Sequence, residues 1–261
     1  MVNLINPLVS ILLPVYNGEV YLQSAIESIL NQTFIDFELI IINDASTDNT
    51  DQIINNFKDK RIRYFINETN LKIIETLNKG INLSRGKYIA RMDADDISFP
   101  NRIEDQVNFL EKNVEIDVLG TGFEIIGNNQ NDRFSNNTVV YNTDSKKIAF
   151  NLIYNNVILH PSVIFRSSVF HKYNVYYNKK FIHAEEYYLW TQLIIHTKFA
   201  NLPDILLKYR VHDNQISLQN HKIQLDNSYS IQQLYLKNLG LNITFNQAKL
   251  FVDFLQKKKN K

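Results

Sequence analysis

Three almost unbroken apolar runs mark the first hundred positions: Leu8 to Val15, Phe37 to Ile42 and Tyr88 to Ala90. Runs that do not alternate with polar residues belong to strands buried on both faces. Between them the period changes. Leu22, Ile26, Ile29 and Leu30 recur at helical spacing within Val20 to Asn31, and Leu71 to Leu83 reads as a helix stopped by Ser84-Arg85-Gly86. Ile62 to Ile66 is a further strand, and a helix to about Phe57 starts behind an Asp48 or Thr50 cap. Pro14 is expected to break the first strand as it leaves the sheet. This β-α repetition predicts an α/β fold: a mainly parallel, Rossmann-like sheet covered by helices on both faces.

Beyond position 100 the strands are less regularly separated by helices, which predicts a mixed extension of the sheet. Pro100 opens a helix over Asn101 to Lys112. Val118 to Ile126 reads as strand, Gly127-Asn128-Asn129 as a turn, and Phe134 to Tyr141 as a more exposed strand. Thr143-Asp144 caps a helix to about Ile153, and Ser162 to Phe165 is a strand. Glu185 to His196 is a helix, and Ile205 to Tyr209 is the last strand. From about Gln219 only helical patterns occur, to roughly Asn238 and again from Asn246 to Lys257 with Gly240 between them. The division is therefore an α/β domain over 1–217 and a C-terminal helical extension over 218–261 with a basic end.

Composition narrows the function classes. Hydrophobic residues make up 44% and charged residues 21% of 261, enough for a sizeable core. Lys+Arg is 28 against Asp+Glu 27, so no global field draws in nucleic acid. There is no cysteine, which excludes disulfides and thiolate metal sites. No secretory signal or bilayer-length apolar run is visible, so a cytoplasmic protein is expected. The lysines of Lys257-Lys258-Lys259-Asn260-Lys261 are a solubilising end, or a peripheral contact with an anionic membrane worth about 1 kcal/mol per lysine. Tyr173, Tyr176 and Tyr177 are read as exposed, either a candidate interface or the scattered surface tyrosines common on proteins.

The Tyr88 strand runs into Arg91-Met92-Asp93-Ala94-Asp95-Asp96. Ligands of open α/β sheets collect at the carboxyl ends of strands. Hard carboxylate oxygens there suit a divalent cation that bridges phosphates; the alternative is a solvated acidic turn leading into the next helix. Neither Gly-x-Gly-x-x-Gly nor Gly-x-x-x-x-Gly-Lys-Ser/Thr occurs, which argues against nicotinamide cofactors and Walker-type NTP hydrolysis.

Several segments together resemble family 2 glycosyltransferases of the GT-A fold. They are Ser10 to Asn17, Ile42 to Asp48, Ala90 to Asp96, His160-Pro161-Ser162, Ala184 to Trp190 and Tyr209-Arg210-Val211-His212, in the family's order over about 8 to 217. The helical tail lies outside the match. The resemblance implies transfer of a sugar from a nucleotide-sugar donor, a UDP-sugar by preference, to a hydroxyl of a glycan or lipid-linked saccharide, with Mn²⁺ or Mg²⁺ and with inversion.

It also implies roles. Pro14, Val15 and Tyr16 wall the nucleoside, and Asp44 accepts the imide N–H of a uracil, unless Asp44 forms only an Asx turn. Asp95 binds the metal directly, Asp93 faces the ribose or a metal-bound water, and His212 adds a contact or is structural. Asp96 either joins them or orders the loop before Pro100. The family usually shows Glu-Asp where this chain has Glu185-Glu186. Glu186 is the candidate general base, with Glu185 its rival, and the extra methylene matters because a displacement near 1 Å can cost on the order of 100-fold in rate. Lys72 stands where the family often has Gly. His183 and Trp190 are either acceptor-side or packing residues, with packing preferred for Trp190. The competing functions are a nucleotide-sugar binder with weak or no turnover and a nucleotidyltransferase on a similar fold.

Overall fold

A computed structural model describes residues 6–127, 137–212 and 220–259. The apolar runs become strands of one sheet: β1 (Val9–Val15), β2 (Phe37–Asn43), β3 (Ile62–Ile66) and β4 (Tyr88–Arg91), separated by α1 (Leu22–Leu30), α2 (Thr50–Asn56) and α3 (Lys72–Leu83). The second half adds β5 (Ile97–Ser98), α4 (Arg102–Lys112), β6 (Ile116–Gly127), β7 (Thr138–Val139), α5 (Ser145–Asn151), β8 (Ile164–Arg166), α6 (Ser168–Tyr173), α7 (Glu185–Leu193) and β9 (Lys198–Val211). Two helices close the chain, α8 (His221–Asn238) and α9 (Phe245–Lys259).

The strand order is β3-β2-β1-β4-β8-β6-β9-β5, with β7 on β6. β3, β2, β1 and β4 are parallel neighbours. β8 runs antiparallel between β4 and β6, and β9 lies parallel to β6. The carboxyl ends of β1, β2, β4 and β9 and the amino end of β8 therefore share one edge.

The unbroken apolar runs have a direct cause. Alternate residues of β1 and β2 enter opposite cores. Ile11, Leu13, Leu39 and Ile41 pack under α1, α2 and α4. Leu12, Ile40 and Ile42 face α3 and, further along, α5 to α8. Trp190 lies fully buried in that second core, against Phe165 with ring centroids 5.6 Å apart and edge-on to Phe199 at 6.2 Å.

Pro14 does not break β1. It stays in the ladder opposite Ile42, while pairing with β4 stops at Leu12 opposite Arg91. Its missing N–H falls on the side where no neighbour remains. β9 is far longer than expected and includes Pro203, because a register shift beside Gly122 accommodates the irregularity. A Cβ on Gly122 would lie 3.0 Å from the Asp204 carbonyl oxygen. β5, with two residues, has no sequence signal of its own. Positions 134–136 of the exposed strand, 128–129 of the turn and 219 at the helix start lie outside the described residues. Asp144 caps α5 as expected, accepting from the Lys147 N–H at 3.0 Å.

At the opposite edge of the sheet, buried Glu38 accepts from Ser10 Oγ at 2.6 Å and pairs with Arg63 at 2.7 Å. The Gly86 turn presses on this point. A Cβ there would sit 2.6 Å from the Ser10 nitrogen and 2.7 Å from the Tyr88 carbonyl oxygen. Both obstacles are backbone and cannot rotate away. Gly86→Ala is predicted to destabilise the fold by about 1–3 kcal/mol, read as a lower urea midpoint at unchanged slope.

Candidate active site

The first two βα loops are laced together. Asn17 N–H donates to Ser46 Oγ at 2.9 Å, Gly18 N–H to Thr50 Oγ1 at 2.9 Å and Glu19 N–H to Asp48 Oδ2 at 3.0 Å. Thr47 N–H returns a bond to Asn17 Oδ1 at 2.8 Å. Asn17 and Ala45 take positive φ, 51° and 59°, to make these turns. Pro14 and Val15 are buried behind them, and Tyr16 is 50% exposed at the mouth.

Asp44 is buried next to Val15, whose carbonyl accepts its N–H at 2.8 Å. Its Oδ1 accepts from Asn67 Nδ2 at 2.7 Å and from Leu71 N–H at 2.8 Å; its Oδ2 accepts from Lys72 N–H at 2.8 Å. Lys72 has φ 68°, the conformation for which glycine is the usual residue. The turn thus keeps a glycine-like backbone around Asp44 despite its side chain.

Beyond β4, carboxylate oxygens of Asp93, Asp95 and Asp96 lie within 4.8 Å of one another. Asp93 forms an ion pair with Arg91, and Asp95 Oδ2 meets His212 Nε2 at 3.0 Å. Asp96 is fully buried. Its Oδ1 accepts the Arg210 N–H at 2.8 Å, and its Oδ2 has no partner among the described residues. Arg210 also donates through Nε to the Asp95 carbonyl at 2.7 Å, while its guanidinium lies 4.4 Å over the Tyr21 ring. The end of β9 thereby clamps the acidic loop. Burial, followed by mutual repulsion with Asp93, raises the pKa of Asp95 and raises that of Asp96 well above its ordinary value.

Under this loop Arg102 is fully buried, donating to the Arg91 carbonyl at 2.7 Å. Burial lowers its pKa to about 9, which leaves it charged at neutrality. Arg91 is buried too. Desolvation opposes its charge, but Asp93 outweighs that and holds its pKa above the ordinary value.

Glu185 and Glu186 begin α7, after His183 at φ 66°. Glu186 Oε1 accepts from Asn156 Nδ2 at 3.2 Å, and Glu185 Oε2 has no partner among the described residues. Burial first, then repulsion from Glu185, pushes Glu186 up to about 8. Arg91 and Asp93 act on both glutamates, which places the pair in the electrostatic reach of the acidic loop. His160 bonds the Tyr177 hydroxyl at 2.7 Å through Nε2 and stands edge-on to Trp190. Burial and Arg91 depress the His160 pKa well below its usual value.

Asp93, Asp95 and His212 lie together at the ends of β4 and β9, and Asp96 ties β9 to the loop. Asp44, Pro14, Val15 and Tyr16 form a second group along the same edge. Trp190 is a packing residue. The three tyrosines are not an exposed patch: Tyr177 is 5% exposed in the core, Tyr173 stacks on His196 at 4.8 Å and Tyr176 bonds His171 at 3.0 Å. Arg91, Arg210 and Asn156 carried no sequence role. Arg91 stands within the acidic motif, and a cation at the buried end of a strand was the available signal.

A mixed, mainly parallel sheet with three converging carboxylates at its ligand edge is the frame of an α/β enzyme. Residues 10–182 match the model of Glycosyl transferase family 2. A protein of Haemophilus influenzae described as an uncharacterized glycosyltransferase is 36% identical over 98% of this chain and 83% of its own. A Methanocaldococcus jannaschii relative of the same description is 37% identical over 89% of this chain and 80% of its own. Among solved structures, S. aureus TarS 1-349 in complex with UDP-GlcNAc superposes with a TM-score of 0.72 at 20% identity, over 95% of this chain and 71% of that one. The mannosyltransferase PcManGT of Pyrobaculum calidifontis, in complex with GDP-Man and Mn²⁺, gives 0.66 at 12% identity, over 95% and 70%. The chain belongs to glycosyltransferase family 2 and has the GT-A fold.

The raised carboxyl has a stability signature. Glu186 has a folded pKa of about 8 against an ordinary 4.5, so its neutral form is favoured in the folded state. The stabilisation is complete below about 4.5 and is lost as pH rises through about 8. Glu186→Gln removes this titration. With a chelator present, its urea midpoint is expected to gain on the wild type steadily between pH 5 and 8.5.

Proposed function

We propose that the chain is a metal-dependent, inverting glycosyltransferase that moves a sugar from a nucleotide-sugar donor, UDP-linked by preference, to a hydroxyl of a glycan or lipid-linked saccharide. The observation that carries this reading is the placement of a half-buried glutamate, its pKa pushed up to about 8, beside an acidic cluster at the ligand edge of the sheet. The TarS complexes with UDP and UDP-GlcNAc, and the PcManGT complex with GDP-Man and Mn²⁺, support a nucleotide-sugar donor and a divalent cation.

The acidic loop fits such a cation. Its carboxylates converge within 4.8 Å, and the repulsion that raises Asp95 and Asp96 would be relieved by positive charge. Asp95 and Asp93, with His212, would hold Mn²⁺ or Mg²⁺, whose oxygen preference the set meets. Bound there, the cation would supply Lewis-acid neutralisation of a diphosphate.

The protein's own residues do the rest. Pro14 and Val15 back the nucleoside, and the exposed ring of Tyr16 offers it a flat face. Asp44 Oδ2 has one donor among the described residues and keeps accepting capacity for a uracil imide. Glu186 takes the proton of the acceptor hydroxyl as that oxygen bonds to the anomeric carbon. The carbon–oxygen bond to the diphosphate breaks on the opposite face, which inverts the centre. A carboxyl near pKa 8 is a stronger base than an ordinary glutamate and operates close to ambient pH.

The second reading is a nucleotide-sugar binder with little turnover. Glu186 in place of the family's usual Asp, and its neutral state at pH 7, favour it. The enzyme would work in the cytoplasm. A peripheral contact with an anionic membrane through the basic C-terminal end is supported by exposed Leu250, Phe251 and Phe254 on α9. Among the described residues no helix is long and apolar enough to cross a membrane.

Release of sugar from a UDP-sugar panel with Mn²⁺ separates the two readings. The rate should climb with pH through about 8 and fall by on the order of 10²–10⁴ in Glu186→Gln. No release from the wild type while UDP still binds, with Glu186→Gln making no difference, would leave only the binder. Asp95→Asn or a chelator is expected to remove both release and the Mn²⁺-dependent rise in melting temperature.

A further inference from the structure

α8 and α9 do more than cover the sheet. With the 154–156 turn and the start of α7 they enclose a cleft of about 270 Å³. Glu186 and Asn156 form one wall. Gln224, Ser228 and Gln232 come from α8, and Gln256 from α9. The helices are fixed over it: Gln256 Nε2 donates to the Tyr154 carbonyl at 2.8 Å, and the Tyr229 hydroxyl to Asp253 at 2.8 Å.

The lining is chemically narrow. Besides Ala184 and Leu225 it contains amides, hydroxyls and tyrosine rings, with Glu186 as its one acidic side chain and no Lys or Arg among the described residues. A phosphate or nucleotide would find no cation there, and a lipid chain would strand the amides. Amides donate and accept at once, as sugar hydroxyls do, and tyrosine rings suit the C–H faces of a pyranose. Gln232 supplies a second sign. It is 3% exposed, yet its Oε1 has no partner among the described residues. Buried amide oxygens are rarely left so, and a ligand hydroxyl would satisfy it.

We infer that this cleft seats a neutral sugar ring of the acceptor, with α8 and α9 providing the contacts that select it. The inference rests on the transferase reading, since it is Glu186 in the cleft wall that makes the bound sugar an acceptor. A hydroxyl of the seated ring faces the carboxylate that takes its proton. Selection of the acceptor then lies largely in the tail, beyond residues 10–182 of the family match.

Saturation-transfer NMR on the full chain tests this with the methyl glycosides of glucose, galactose, mannose and N-acetylglucosamine, alongside UDP with Mn²⁺ as a separate probe. At least one glycoside is expected to show transfer. Ser228→Phe, which fills the cleft, and Gln224→Ala, at a half-exposed position that leaves the fold undisturbed, should each weaken it at least fivefold, in proteins whose urea midpoints match the wild type. A wild type that binds a glycoside but not UDP would uphold the cleft and overturn the donor reading alone. Absence of any glycoside signal while UDP binds, or equal signals in the folded variants, would overturn the inference.

Discussion

Five carboxylates crowd one edge of this sheet: Asp93, Asp95 and Asp96 after β4, Glu185 and Glu186 at the start of α7. Burying charge costs several kcal/mol per ion unless it is paired, and here the buried counter-charges are few. Arg91 pairs with Asp93, His212 meets Asp95, Arg102 lies charged beneath the loop, and Asp96 accepts only a backbone N–H among the described residues. The fold tolerates this imbalance because two apolar cores, one on each face of the sheet, hold β4, β9 and α7 in place regardless. Even with Arg91, Arg102 and Arg210 close by, the edge gathers more carboxylates than cations.

The loops around the edge hold unfavourable backbone as well. Asn17, Ala45, Lys72 and His183 all have positive φ, each at a cost of about 1–2 kcal/mol for a side chain with a Cβ. Each flanks a proposed ligand-contacting residue: Tyr16, Asp44 (by Ala45 and by Lys72) and the glutamate pair. The bonds that offset the cost also fix the site. Lys72 gives its N–H to Asp44, and Asn17 bridges to Ser46 and Thr47. Strain of this kind gathers where side chains must be aimed rather than merely buried.

The first half of the fold was legible because each strand there is buried on both sides and each helix shows one apolar stripe. β1 to β4 and α1 to α3 emerge with boundaries within two residues. The second half was less so. β9 bends past Pro203, and its early part pairs with β6 through a register shift that no local pattern announces. β5 exists only because β9 passes beside it. In the site, Asp93, Asp95 and His212 were legible through short motifs, although 117 residues separate Asp95 from His212. Arg91 and Asn156 were not, since their part depends on what the fold brings within reach. Tyr177 looked like surface because its neighbours in sequence are polar, while the sheet folds it inward against His160.

The packing of α8 bears on how such chains can be recombined. Ile231 and Tyr235 belong to the same core as Trp190, and the Tyr235 hydroxyl donates to the Ala149 carbonyl at 3.1 Å. A tail exchanged between relatives would therefore arrive with half of a hydrophobic joint cut for another partner. Chimeras joined near residue 220 need matching changes in α5 and α7, or the mismatched joint will cost them solubility.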